Sequence, residues 1–201
     1  MNATLATRLM PMENTLLRNA LLAVAGSLLV AGAAQLSVPF WPVPMTLQTL
    51  AVLLVGGAYG ARLGAATLVL YMIEGAIGLP FLSGMRASIF DAKIAWLPYS
   101  SFGYLIGFVL AAWAIGLLAE RGWISSARRM VAAGLGSAAL VYVPGLIWLG
   151  IWASASLNLD FGHAFNFALV KGFVPFIPAD IIKALVAGLG LASGWSLIKR
   201  I

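Results

Sequence analysis

Six apolar runs, each near the length that crosses a bilayer and each closed by prolines, glycines or charges, leave this chain few ways to fold. They read Asn19–Leu36, Thr46–Ala61, Leu63–Leu79, Ser101–Ala119, Met130–Ser154 and Ala179–Ile198. A transmembrane helix needs about 20 apolar residues, so six of them use most of a 201-residue chain and leave no room for a soluble domain. Composition agrees: 62% of the residues are hydrophobic and 9% are charged, against roughly 25% charged in soluble domains. The expectation is an all-α integral membrane protein, one six-helix domain covering residues 1–201.

The breaks between the runs have chemical causes. Pro39, Pro42 and Pro44 each remove a backbone donor and restrict the preceding residue, so no helix continues through them. Gly60-Ala61-Arg62 predicts a very short turn, 84–96 a longer mixed loop closed by Pro98, and 120–129 the most polar stretch. Residues 158–178 read as a broken, partly apolar connection.

Charge sets the orientation. With the N-terminus inside, the cytoplasmic side receives eight cations, Arg8, Arg18, Arg62, Arg121, Arg128, Arg129, Lys199 and Arg200. The outside receives three, Arg86, Lys93 and Lys171, and Lys183 falls within a span. Positive charge is retained on the cytoplasmic side of membrane proteins, which predicts six spans with both termini inside. Trp41, Trp96, Trp123, Trp152 and Trp195 fall near the expected boundaries, as in an aromatic belt. The same bias explains a net charge of +6 as attraction to anionic cytoplasmic lipid rather than to nucleic acid.

Enzyme chemistry is poorly supplied. The one histidine, His163, lies beside Asp160 in a polar segment, where a solvated loop residue is the simpler reading than a metal ligand. The six acidic residues form no paired Glu-x-x-His or His-Glu-x-x-His motif. One distant histidine specifies no dyad with any serine. There is no cysteine for thiolate or metal chemistry, and no lysine follows a glycine, so the Gly-Lys of a phosphate-binding loop is missing. No catalytic residue, metal or cofactor is expected. Active transport through this chain would draw on an ion gradient or on another subunit.

Against that background Pro175-Phe176-Ile177-Pro178-Ala179-Asp180-Ile181-Ile182-Lys183 stands out. It sets an acid and a base three residues apart where an apolar span begins, and ionisable residues at such depth are costly and mark functional sites by default. Two readings are open. Asp180 can cap its helix and pair with Lys183 one turn on, or both can face a pocket. Gln48, a few residues into the second run, and Glu74 with Tyr71 one turn before it near the outer end of the third, lie at similar depth. Small residues repeat every four positions as Ala23-Ser27-Ala31 and Ala184-Gly188-Ala192. Such stripes let helices approach closely in lipid, either inside the bundle or against a partner subunit.

Four motifs in order carry a family resemblance. Val43-Pro44-Met45-Thr46-Leu47-Gln48-Thr49-Leu50 resembles the Pro-Val-Pro-x-Thr-Leu-Gln-Thr run of the BioY family, the biotin-specific S components of energy-coupling-factor (ECF) transporters. Gly75-Ala76-Ile77-Gly78-Leu79-Pro80 is similar to that family's third-helix end, and Gly103-Tyr104-Leu105-Ile106-Gly107-Phe108 to the start of its fourth. The Asp180–Lys183 segment resembles its Pro-Phe-Ile-Pro-Gly-Asp-x-x-Lys signature, with Ala179 for glycine.

The resemblance implies a six-helix protein of the bacterial cytoplasmic membrane that captures biotin from outside. Its implied partners are a transmembrane coupling subunit and a pair of ATP-binding cassette ATPases, although some members of the family act without them. It assigns Asp180, Lys183 and Gln48 to the ligand. A carboxylate and an ammonium suit a ureido ring, which offers two N–H donors and a carbonyl acceptor. Trp41, Phe81 and Tyr104 are candidate walls for the apolar part, Arg86 or Lys93 candidate partners for the ligand carboxylate, and Ser101 falls where the family has threonine or serine. Ala23, Ser27 and Ala31 are the candidate coupling interface. The chain departs from the family at Ser83-Gly84-Met85-Arg86-Ala87-Ser88 and at Tyr99-Ser100-Ser101, where glycines and a proline are replaced. Other readings remain open: an S component for another vitamin, which binding assays separate, or an intramembrane enzyme or structural protein, which turnover by purified protein would reveal.

Overall fold

The computed structural model describes residues 4–90 and 97–198. Lys93 and Trp96 of the third loop, and Lys199 and Arg200 of the charge count, lie outside the described residues. Helix α1 (Leu5–Leu9) is started by a reciprocal capping box between Thr4 and Thr7. Helix α2 (Thr15–Gln35) starts at Asn14, whose side chain accepts the Leu17 N–H at 3.0 Å. The proline-rich segment after it turns back on itself, and Ser37–Val38 (β1) pairs antiparallel with Met45–Thr46 (β2).

Helices α3 (Gln48–Tyr59) and α4 (Ala61–Ala76) are separated by one residue, Gly60, at φ 87°. That left-handed conformation is open to glycine without steric cost. The Glu120 Oε1, at the end of α5 (Phe102–Glu120), accepts the Ala61 N–H at 2.9 Å and so caps α4 from a distance. A turn at Trp123–Ser125 leads to α6 (Ala127–Leu157), 31 residues long with Pro144 inside it. Asn158, at φ 54°, ends it.

The segment 158–178, expected as a broken connection, is instead mostly helical. Asp160 accepts the N–H groups of Gly162 and His163 and starts α7 (Phe161–Gly172). A single turn at Val174–Phe176 then joins it to α8 (Ile177–Ile198). Asp160 therefore acts as a helix cap, and the His163 ring nitrogen Nδ1 sits 2.5 Å from its Oδ2. Hydrogen bonding from His163 holds the exposed Asp160 carboxyl below the usual carboxylate range.

Each of the six expected apolar runs coincides with a helix, namely α2, α3, α4, α5, α6 and α8. Among the described residues, four helical stretches are long and apolar enough to cross a membrane, Thr15–Gln35, Phe102–Glu120, Ala127–Leu157 and Phe161–Ile198. At 1.5 Å rise per residue, the 12 residues of α3 and 16 of α4 reach about 18 and 24 Å, short of a hydrocarbon core of about 30 Å. Helix α3 is instead largely buried, at Ala51, Val52, Leu53, Val55 and Gly56 among others.

Helix α5 is the axis of the bundle and packs against α3, α4 and α6. The approach is close enough to demand glycine. A Cβ on Gly56 would lie 2.5 Å from the Ala112 oxygen, and one on Gly116 2.5 Å from the Ala61 nitrogen. The two small-residue stripes serve this internal packing. Ser27 and Ala31 are buried, and the Ser27 hydroxyl reaches Glu74 Oε1 of α4 at 3.1 Å. Ser27 and Ala31 of the stripe thus face the bundle, while Ala23 is half-buried. The second stripe packs on α6, where a Cβ on Gly188 would meet the Val131 backbone at 2.6 Å.

Candidate ligand-binding cavity

The N-terminal ends of α3, α5 and α8 and the C-terminal half of α4 meet at one end of the bundle. Leu82, Ser83, Arg86, Ile89 and Tyr99 of the loop after α4, with Val43, Pro44 and Thr46 of the β1–β2 hairpin, border the same space. Between them is a cleft open on one side, about 740 Å³ when the solvent space of that open side is counted with it. Gln48, Arg86, Ser101, Tyr104, Asp180 and Lys183 all line it, together with Tyr71, Tyr99, Tyr142 and Phe108.

The acid and base form a preorganised pair. Lys183 Nζ donates to Asp180 Oδ1 at 2.8 Å, and the Tyr142 hydroxyl donates to Asp180 Oδ2 at 2.5 Å. Both charged residues are buried, 9% and 8% exposed, where a lone charge would be costly and a paired one is tolerated. The i,i+3 pairing expected of a simple helix start is present. The other carboxylate oxygen nevertheless crosses to α6 rather than capping α8. Each carboxylate oxygen can accept more than one hydrogen bond and an ammonium has three donors. The pair therefore keeps acceptors and donors for a ligand that offers both.

Gln48 opens α3 and is buried. The Thr46 hydroxyl accepts its backbone N–H at 3.2 Å and donates to its Oε1 at 3.0 Å. Its Nε2 donates to the Tyr71 hydroxyl at 2.8 Å, which donates in turn to the Phe81 carbonyl at 3.1 Å. The Tyr104 hydroxyl is spent on the Gly172 carbonyl at 2.9 Å, so the ring rather than the hydroxyl forms the wall. That ring lies over Gly145, where a Cβ would meet it at 2.7 Å. Tyr142 stands edge-on to both Tyr104 and Phe173, at 6.2 and 4.8 Å between centroids. Arg86 lies over the Tyr99 ring at 4.3 Å, the geometry of a cation–π contact.

Three expected site residues sit elsewhere. Trp41 is 62% exposed and packs edge-on against Trp152 and Phe167. The hairpin turns Val43 and Pro44 to the cavity and Trp41 to α6 and α7. Trp152, expected in a boundary belt, is buried in that contact. Phe81 contributes its carbonyl to Tyr71 rather than its ring to the wall. Glu74 faces α2 through Ser27 and takes no part in the cavity lining.

Two functional-looking residues escaped the sequence reading. Tyr142 lies mid-span in α6, and the only signal for it is a hydroxyl in an apolar helix that must find a partner. Ser100 is buried and donates to the Pro42 carbonyl at 2.6 Å, tying the hairpin to the end of the long loop.

Comparison with known proteins decides the lineage. The sequence matches the BioY family over residues 3–200. This chain belongs to the BioY family. Among its relatives, the biotin transporter BioY of Rhizobium etli is 36% identical over 163 residues, 77% of this chain and 79% of the relative. The biotin transporter BioY of Thermotoga maritima is 34% identical over 163 residues, 81% of this chain and 86% of the relative. The fold matches the crystal structure of the S-component for biotin from an ECF-type ABC transporter. That match has a TM-score of 0.69 at 24% identity and covers 90% of this chain and 93% of that one. The BioY family is one of transporters rather than enzymes. Among the described residues no cluster of His, Cys, Asp and Glu could hold a metal.

Proposed function

We propose that this BioY-family chain is a membrane subunit that captures biotin in the cavity beside Asp180 and Lys183. The observation that carries the reading is the buried Lys183–Asp180–Tyr142 cluster opening into a cavity walled by aromatic and aliphatic side chains with a few polar groups. A ureido ring presents two donors and one acceptor, and this cluster keeps acceptors on Asp180 and donors on Lys183. Tyr104, Phe108 and Tyr142 suit the apolar ring and chain, and Gln48 and Ser101 supply further polar contacts. Arg86, beside Tyr99 in the cavity lining, is the cation for the ligand carboxylate.

In this reading the cavity end faces outside, and six spans place both termini in the cytoplasm of a bacterial cell. Charge supports it: Arg8, Arg18, Arg62, Arg121, Arg128 and Arg129 lie toward the opposite end, Arg86 and Lys171 toward the cavity. Uptake then draws on a separate coupling subunit and a pair of ATPases, consistent with the lack of a phosphate-binding loop. The α2 face that carries Ala23 is the candidate surface for that coupling subunit.

Calorimetric titration of Asp180→Asn tests the site. The substitution keeps the shape but turns a charge-assisted acceptor into a partial donor, and such bonds are worth about 1.5–3 kcal/mol. Biotin affinity is expected to fall about 10- to 100-fold, and wild-type affinity would refute the assignment. Orientation is tested in the cysteine-free chain by single cysteines at the exposed Ser88, Ser125 and Asn158. An impermeant maleimide applied to intact cells should label 88 and 158 and spare 125.

A further inference from the structure

Gln35 is the last residue of α2 and does not line the cavity, yet its side chain, anchored by Nε2 on the Ala31 carbonyl of its own helix at 3.1 Å, also reaches three backbone groups of the loop above it. Its Nε2 lies 3.3 Å from the Phe81 carbonyl and 3.2 Å from the Leu82 carbonyl, while its Oε1 accepts the Met85 N–H at 3.0 Å. The segment it holds is a tight turn, closed by the Leu82 N–H donating to the Arg86 carbonyl at 3.2 Å. Gly84 and Met85 carry that turn at φ 72° and φ 56°. For methionine this left-handed conformation is unfavourable, so the turn needs an outside support. Gln35 provides it. The Phe81 carbonyl also receives the Tyr71 hydroxyl, which itself receives Gln48. A residue within the cavity and one outside it thus converge on the same backbone group.

We propose that Gln35 is a positioning residue: by holding 81–85 it fixes Arg86 against the cavity, where Arg86 meets the ligand carboxylate. The inference rests on the reading of Arg86 given above. It makes the turn that carries the cation dependent on a side chain from α2.

The test compares biotin with its methyl ester, which lacks the negative charge, by calorimetric titration of the full chain. Arg86→Ala should reduce the preference for the acid at least about tenfold, as expected for loss of a charged hydrogen bond. Gln35→Leu should reduce the same preference about three- to tenfold while leaving affinity for the ester unchanged. Adding Met85→Gly to Gln35→Leu should restore the preference, because glycine takes a positive φ freely. In the wild-type protein, the Met85 amide should exchange hydrogen more slowly than that of exposed Gly84. A Gln35→Leu protein that loses acid and ester equally, or keeps the preference while Arg86→Ala erodes it, would overturn the proposal alone. Free exchange at Met85 would do the same without any variant. An unchanged preference in Arg86→Ala would overturn the carboxylate assignment and, with it, the role given to Gln35.

Discussion

The two ends of the bundle use the same three helices in opposite ways. Away from the cavity, α3, α4 and α5 meet through Gly56, Gly64 and Gly116, with backbone almost against backbone: a Cβ on Gly64 would lie 2.8 Å from the Gly56 Cα. At the cavity end the same helices carry Gln48, Tyr71 and Tyr104, whose side chains hold them apart around empty space. Lipid provides no hydrophobic drive between helices, so the closed end is held by van der Waals fit. The open end is held by hydrogen bonds running from side chain to side chain and into loop carbonyls. The contrast teaches that rigidity and vacancy are separated along the helix axis. A chain this small can keep a cavity because its other end is packed to contact.

That contrast can be broken most severely at the closed end. Gly116→Leu forces atoms into the backbone of Gly60 and Ala61, both within 2.5 Å of a Cβ there. Overpacking against backbone is expected to cost about 3 kcal/mol or more. The expected result is a large fall in melting temperature in detergent or no folded protein, read by size-exclusion after heating. A normal melting curve would show the closed end to be adaptable.

At the open end the fold should survive and binding should suffer. Lys183→Met keeps the length of the side chain and removes the ammonium, leaving Asp180 with Tyr142 alone. Biotin affinity is expected to fall about 10- to 100-fold in protein that still purifies as a folded monodisperse species. If Lys183→Met failed to fold as Gly116→Leu does, the pair would belong to the scaffold, and the division between the ends would not hold.

The smallest effect lies at the open end but outside the cavity. Asp160 titrates below the usual carboxylate range because His163 hydrogen-bonds it. A carboxyl with a depressed folded-state pKa stabilises above its unfolded pKa, and that contribution is lost as pH falls through the folded value. The amide signals of Gly162 and His163, both bonded to Asp160, should therefore shift with a midpoint below the normal aspartate range. A midpoint at the ordinary aspartate value would remove the cap's advantage.

What was legible in the sequence divides along a physical line. Position along the helix axis was legible, because apolar runs and ionisable residues record it directly. The six runs became helices, and Asp180 and Lys183 became the buried pair. Azimuth was not legible. Glu74 carries the same signal as Asp180, a carboxylate in an apolar run, yet faces Ser27 and not the cavity. The α2 stripe could serve a partner or the bundle equally well on spacing alone, and the fold turns Ser27 and Ala31 of it inward. Trp41 sits in a proline-rich turn whose side-chain directions follow from the hairpin register, a pairing between residues on either side of it. Helix α7 was hidden because a glycine, a histidine, an asparagine and a lysine interrupt its apolar pattern. Its start depends on a cap by Asp160 that reads equally well as a loop. Tyr142 depended on a partner 38 positions away in the sequence, which no local pattern records.

Helix α1 adds an order in time to this architecture. It is five residues long, too short to be stable alone, and its buried Leu5 and Ala6 pack against α3 and α8. Arg8 lies over the ring of Trp195, 4.8 Å from its centroid, near the end of α8. Helix α1 therefore docks only once α3 and α8 are both in place, and a chain lacking α8 would leave Leu5 and Ala6 without one of their two covering surfaces.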